Sequence, residues 1–496
     1  MQFNSKPRII AVAVTSLFLL GLATVAKADS TDDLLKKLHD KGILNDQEYD
    51  DFNATRDTEQ AQSASAKQAA NKGKIKIGSF IDNATIYGDI RVRYEHRDGE
   101  DDVAPVANKE DRDRGRYKIT LGIKTEATNF FYTDLALAMG QRGRSDNATF
   151  GTSAVPGSAA IAGSDNKEVI YLKRAVLGWH GLDWLTVEAG RVANPLYTTE
   201  MVWDKDLNLE GLTEQLNYTV GNAELFGNFG QSLYTGDAIN FSAAGSVDTP
   251  SAFLFAWQGG AKYKISDELS AKAAVTLYTY THDKNAVAGG AASVNRIFTP
   301  GLGNVAINSA TAAGQNLGAI NNLMPLEIPF ELNYKASSNY TVSGFGDFVH
   351  NLEGDDRKNA ACTATLSAGF SAANRTAICN AGTDDNAWLL GAGLKYAQGK
   401  EPAAGDWQAR IWWQDVGIYS VDPNTVDSDF MDSRLNMQGV VFKAQYNVEE
   451  NVFLNVAAGH ASRKNKNLSA PTSAGNDINL NIDDYNLYQM DLTYKF

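Results

Sequence analysis

Catalysis needs side chains that converge, and the local spacing of this chain brings few together. The six histidines, His39, His96, His180, His282, His350 and His460, are scattered. No His-Glu-x-x-His, Gly-x-Ser-x-Gly or phosphate-cradling glycine loop occurs. The densest run of acids is Glu200, Asp204, Asp206 and Glu210. Asp204-x-Asp206-x-Asn208 has part of the oxygen spacing of a calcium loop but lacks its glycine and distal bidentate glutamate. The expectation is no catalytic residue, no metal and no cofactor. What the charges do show is alternation. Asp89, Arg91, Arg93 and Glu95 take every second position, with Ile86, Gly88, Ile90, Val92 and Tyr94 between them. Successive strand side chains point to opposite faces, so one face meets water and the other an apolar medium. Charges on a wet wall can order water and select passing solutes by sign.

The same parity picks further wall charges: Arg116, Lys118 and Lys124, then Asp134, Glu327, Glu331, Asp347, Arg410 and Lys443. It fails at Lys173, Arg174 and Arg191, where a bulge or a position above the bilayer would be needed. These residues require strands to carry them. Period-2 alternation predicts sixteen, near 85–96, 114–127, 129–142, 168–180, 183–193, 207–220, 222–234, 253–266, 269–282, 326–337, 340–353, 386–398, 405–418, 434–448, 450–463 and 484–496. Tight turns such as Val-Gly-Asn and Ser-Asp-Glu alternate with long connections at 97–113, 143–167, 235–252, 283–325, 354–385 and 464–483, rich in Gly, Ala, Ser, Asn and Asp. Aromatics including Trp184, Tyr263, Tyr334, Trp407 and Tyr494 sit toward strand ends. Short turns on one side, long loops on the other and aromatic girdles describe a 16-stranded antiparallel transmembrane β-barrel.

Composition agrees. The chain has 496 residues and, beyond its N-terminus, no run near the ~18 apolar residues of a membrane helix. Its mean hydropathy of -0.30 suits a barrel with a wet interior. Lys6 and Arg8 precede an apolar stretch from Ile9 to Val25, and Ala26-Lys27-Ala28 offers a small-x-small cleavage site. Residues 1–28 therefore read as a signal peptide. Its removal takes the formal charge from -14 to -17, since Lys6, Arg8 and Lys27 leave. An acidic mature chain argues against nucleic acid as a partner. Residues 29–75 read as a periplasmic helical hairpin and linker, with apolar positions at helical spacing from Leu34 to Phe52. The barrel is assigned to 76–496. Cys362 and Cys379 share one connection, and in an exported protein they can close it as a disulfide, worth about 3 kcal/mol.

The last strand presents Tyr488, Met490, Leu492, Tyr494 and Phe496 on one face and Gln489, Asp491, Thr493 and Lys495 on the other. It looks like the closing strand of a bacterial outer-membrane barrel, and should pair antiparallel with Ile86 to Tyr94. Leu-Lys-Arg-Ala-Val-Leu-Gly-Trp at 172–179, Gly190-Arg191, Pro195, Trp203-Asp204 and Glu210-Gly211 carry a more specific likeness. With Gly-Asp-Ile-Arg-Val-Arg-Tyr-Glu at 88–95 and Asp-Ser-Asp-Phe at 427–430, they resemble the putative-porin family of Gram-negative outer membranes. The resemblance implies a water-filled diffusion channel for small hydrophilic solutes and ions, a homotrimer, and contact with outer-membrane lipids and lipopolysaccharide. It also implies a constriction made by an inward loop, here 194–206, with Pro195, Tyr197, Glu200, Trp203, Asp204, Asp206 and Glu210 in or beside it. Two other readings stay open: a substrate-specific channel, and a structural or adhesive protein whose loops bind a partner.

Overall fold

The computed structural model describes residues 83–101, 108–126, 130–140, 145–151, 168–235, 238–242, 245–249, 252–281, 323–363, 376, 379–466, 468, 478 and 482–496. The expected signal peptide, the helical segment at 29–75 and most of the insert at 283–325 lie outside them. Sixteen strands form the wall. They are β1 (Asn83–Asp101), β2 (Asn108–Glu126), β3 (Phe131–Gly140), β4 (Val169–Leu182), β5 (Leu185–Ala193), β6 (Asn208–Val220), β7 (Ala223–Thr235) and β8 (Ala252–Lys264). The second half comprises β9 (Leu269–Tyr280), β10 (Pro325–Lys335), β11 (Tyr340–Asn351), β12 (Asn386–Tyr396), β13 (Trp407–Val416), β14 (Met437–Glu449), β15 (Val452–Arg463) and β16 (Asp484–Lys495).

Every neighbour pairs antiparallel, and the ring closes between β1 and β16 with Ile90 opposite Tyr494 and Tyr94 opposite Met490. Phe496 completes the seam: its carbonyl accepts from Gly88 N at 2.9 Å and its N–H donates to Gly88 O at 3.1 Å. Closure leaves no strand edge unpaired in hydrocarbon, where each unmet backbone group is costly. The terminal strand shows the two-sided wall. Tyr488, Met490 and Leu492 are half exposed outward, while Gln489, Asp491 and Thr493 are buried inward.

Three local features depart from simple alternation. The wall does not end at residue 96: β1 and β2 stay paired through Arg97, opposite Arg112, to Glu100, opposite Lys109. Above the bilayer no apolar face is required, so the pattern fades while the ladder continues. At Lys173 and Arg174 a bulge shifts the β3–β4 register. Both side chains then reach inward acids, Lys173 meeting Asp146 and Arg174 reaching Asp134 at 2.9 Å. Arg191 follows Gly190, whose φ of +121 carries β5 so close to Ala175 O that a Cβ could not fit. Arg191 stands on the outer face, paired with Glu210 at 2.9 Å.

Two connections enter the barrel. Residues 417–436 are largely buried and residues 194–207 are buried at 201–204 and half-buried elsewhere except at the exposed Lys205; the two pack on one another and on the wall around Met201, Val202, Trp203, Phe430, Met431 and Leu435. The second includes a short 3-10 turn, Phe430–Ser433, after which the chain rejoins β14. Met431, Asp432, Ser433 and Asn436 all hold positive φ without being glycine. Such backbone is held only where its surroundings dictate it. Here Ile478 N donates to Asp432 at 3.1 Å and Asn436 Nδ2 donates to Asn465 O at 3.0 Å. In the connection between β11 and β12, Cys362 and Cys379 form a disulfide with Cα atoms 5.1 Å apart.

Candidate functional site

The inward loops stop short of one stretch of wall, leaving a water-accessible space of about 540 Å³. Its wall comes from β1, β2, β13, β14, β15 and β16, which contribute Arg91, Arg93, Lys118, Arg410, Lys443 and Lys495. The loops contribute Glu200, Asp204, Asp206, Asp427 and Asp429. With Asp89, Asp491 and Lys205 the lining holds seven acids and seven bases. Its formal charge is zero, but the signs are separated, cations mostly on the strands and anions mostly on the loops.

The loop at 194–207 is clamped from end to end. Gln258 exchanges two hydrogen bonds with the Tyr197 backbone, each 2.8 Å. Thr198 donates to Glu327 and Thr199 to Asp347, and the Tyr278 hydroxyl donates to Glu327 at 2.6 Å. The two loops also bind each other: Asp427 N donates to Glu200 O at 3.0 Å and Asp204 N to Thr425 O at 2.6 Å. On the far side Arg97, 1% exposed, reaches Asp429 at 2.8 Å and the Ser428 carbonyl at 2.9 Å. Arg93 bridges Asp491 at 2.7 Å and Asp429 at 3.2 Å.

The loop acids differ in charge state. Burial opposes ionisation of Glu200, but Lys443 and Lys205 outweigh it and hold the carboxyl down to about 2. Asp429 is held well below the usual carboxylate range by Arg93 and Arg97, which outweigh the cost of its burial. Asp427 goes the other way. Burial, with Asp429, Asp204 and Glu200 nearby, outweighs the attraction of Lys443 and pushes it up to about 7.

The expected wall charges divide into three groups. Asp89, Arg91, Arg93, Lys118, Arg410 and Lys443 meet at the cavity. Glu95, Arg116, Glu327 and Asp347 do not face open water. Glu95 is enclosed by Arg97 at 3.0 Å, Arg93 at 3.4 Å and Arg116 at 3.5 Å, with Arg114 also bound. Glu327 and Asp347 lie beneath the inward loop, 0% and 1% exposed. Lys124 covers the Tyr132 ring, Asp134 pairs with Arg174, and Glu331 accepts from Asn333 at 2.7 Å. These three stand elsewhere on the inner wall.

Among the loop residues, Glu200, Asp204 and Asp206 line the cavity. Tyr197 lies under the Lys272 ammonium, 3.9 Å from its ring centre, and Pro195 borders an apolar pocket with Leu196 and Trp203. Trp203 is core rather than lining, 4% exposed. Glu210 is not in the loop: it belongs to β6 and faces outward. Sequence reasoning missed Asp427, Asp429 and the whole inward course of 417–436. The available signal was the charged motif Asp-Ser-Asp-Phe at 427–430.

A family model described as "Putative porin" matches residues 95–496. No curated protein matches the chain. Solved structures that it is similar to include Salmonella typhi OmpF in complex with daunomycin, at 10% identity and a TM-score of 0.41, covering 85% of this chain and 100% of that one. The outer membrane channel DcaP of Acinetobacter baumannii matches at 12% identity and a TM-score of 0.39, covering 85% and 99%. OmpTdeltaL8 of Vibrio cholerae matches at 8% identity and 0.39, covering 83% and 99%.

Proposed function

We propose that this chain, which belongs to the putative-porin family whose model matches residues 95–496 and is a channel barrel of the bacterial outer membrane, passes small hydrophilic solutes and ions by passive diffusion and works as a homotrimer. The observation that carries this is the cavity between the acidic loops and the basic wall. Moving a polar solute through hydrocarbon is prohibitive, and a wet passage removes that cost. Where loop anions face strand cations across a few ångströms, the field runs across the pore. Water and dipolar solutes align with it, apolar solutes must displace ordered water, and a lining of zero formal charge leaves little preference between cations and anions.

Liposome swelling tests this. Vesicles reconstituted with the protein should swell in arabinose and glucose, more slowly as the sugar grows, and hardly at all in a trisaccharide. Swelling at the protein-free rate with every sugar would refute diffusion.

One observation favours a second reading, a channel with an internal site for an anionic solute. Arg410 is exposed in the lumen, has no carboxylate at ion-pair distance among the described residues, and places its guanidinium carbon 3.9 Å from the centre of the Phe345 ring. A guanidinium over an aromatic face still has N–H donors to offer a carboxylate or phosphate. Saturable block of current by one anionic solute would favour this reading over plain diffusion.

A further inference from the structure

The outer face of the barrel is apolar at mid-depth on most strands, and one patch interrupts it. Residues opposite each other across an antiparallel pair share a face. Trp257, half exposed outward, sets its partner Phe229 outward, and Phe229 in turn sets Glu214 and Val187 outward. Glu214 is the middle residue of β6, and Tyr218, 65% exposed, stands four positions nearer the turn on the same face. At about 3.3 Å per residue and a tilt near 45°, Glu214 lies roughly 9 Å inside that aromatic, within an apolar band about 25 Å tall. Gln231, outward by the same register, donates to Glu214 Oε1 at 3.0 Å. No cation lies within ion-pair distance of Glu214 among the described residues. Nearer the outer rim Arg191 and Glu210 make their pair on the same face. Gly227 and Gly259, register partners, put no side chain beside the tilted ring pair of Phe229 and Trp257, whose centres are 3.9 Å apart.

Acyl chains offer a carboxyl and an amide nothing to bond, and such groups inside the bilayer mark contact with protein. We infer that the outer face of β5 to β8 is the contact surface between copies of this chain, with Glu214 and Gln231 enclosed by the neighbouring copy. This rests on the oligomeric reading above and says which side of the barrel carries it. The occupant is a second copy because the patch holds both halves of its own complement. Acceptors are Glu210 and Glu214; donors are Arg191, Gln231 and the Trp257 indole. Rotation about the membrane normal keeps every residue at its depth, so a copy presents its own donors and acceptors at the level where they are needed.

The test uses the full-length protein extracted in mild detergent, with mass read by light scattering after size exclusion and barrel integrity by heat-modifiable gel mobility. Wild type should be an oligomer and Glu214→Arg a folded monomer, a loss of mass by the full subunit number. Val342→Arg, on the outer face of β11, should leave the mass unchanged. A wild-type monomer sinks the oligomer and the face together. A wild-type oligomer that survives Glu214→Arg, or is split equally by Val342→Arg, refutes the face alone. Should Glu214→Arg fail to fold, a nitroxide on Leu216→Cys decides: lipid-dissolved oxygen should reach it several-fold less than a nitroxide on Val342→Cys, and equal access overturns the proposal.

Discussion

Asp427 carries the most changeable charge at the passage. Lys443 on β14 attracts it, while Glu200 and Asp204 on the facing loop and Asp429 on its own loop repel it. A carboxyl raised to about 7 is neutral below that pH and charged above it, so acidification removes one negative charge from a lining that is otherwise balanced. Cation preference should therefore fall as pH drops from 8 to 6, read as a shift in reversal potential under a salt gradient. Asp427→Asn should hold the low-pH value across the whole range. A wild type with no pH dependence in that window would contradict the assignment. Arg410→Ser should move selectivity the opposite way, toward cations, since it removes a wall cation that has no carboxylate at ion-pair distance among the described residues. Parity predicted that Glu95, Glu327 and Asp347 face inward, and they do; it could not predict that they meet protein instead of water. Which loop folds over a wall residue is a long-range fact with no local trace in an alternating strand.

The inward loops are held by buried charge more than by their own sequence. Arg97 joins Glu95, Asp429 and Asp432 with almost no exposure. Arg97→Met would leave those carboxylates short of a partner, a defect of about 3–5 kcal/mol where one side of a buried pair is removed. Because the wall ladder does not depend on this residue, the loss should fall on the loop at 417–436. Expected signs are faster protease cleavage within that loop and larger, noisier conductance steps, while the folded barrel keeps its gel mobility. Unchanged cleavage would show the loop to be held elsewhere. The strands were legible because lipid on one side and water on the other impose a period of two from β1 to β16. The break in parity at Lys173 and Arg174 already marked the bulge found there, whereas the inward course of 417–436 was not legible, since it depends on Arg93 and Arg97 far along the chain.

At the scale of the molecule, closure of β1 on β16 makes the barrel a finished wall, and the loops then decide what crosses it. The wall supplies cations, the loops supply anions, and the open space between them is the route assigned to solutes. Single-channel recording in a planar bilayer tests that assignment most directly. Wild type should give stepwise ohmic current with weak ion selectivity, and Glu200→Gln, which removes the anion facing Lys443 and Lys205, should shift the reversal potential toward that of the anion. Absence of stepwise current, or current whose reversal potential ignores Glu200→Gln, would contradict it.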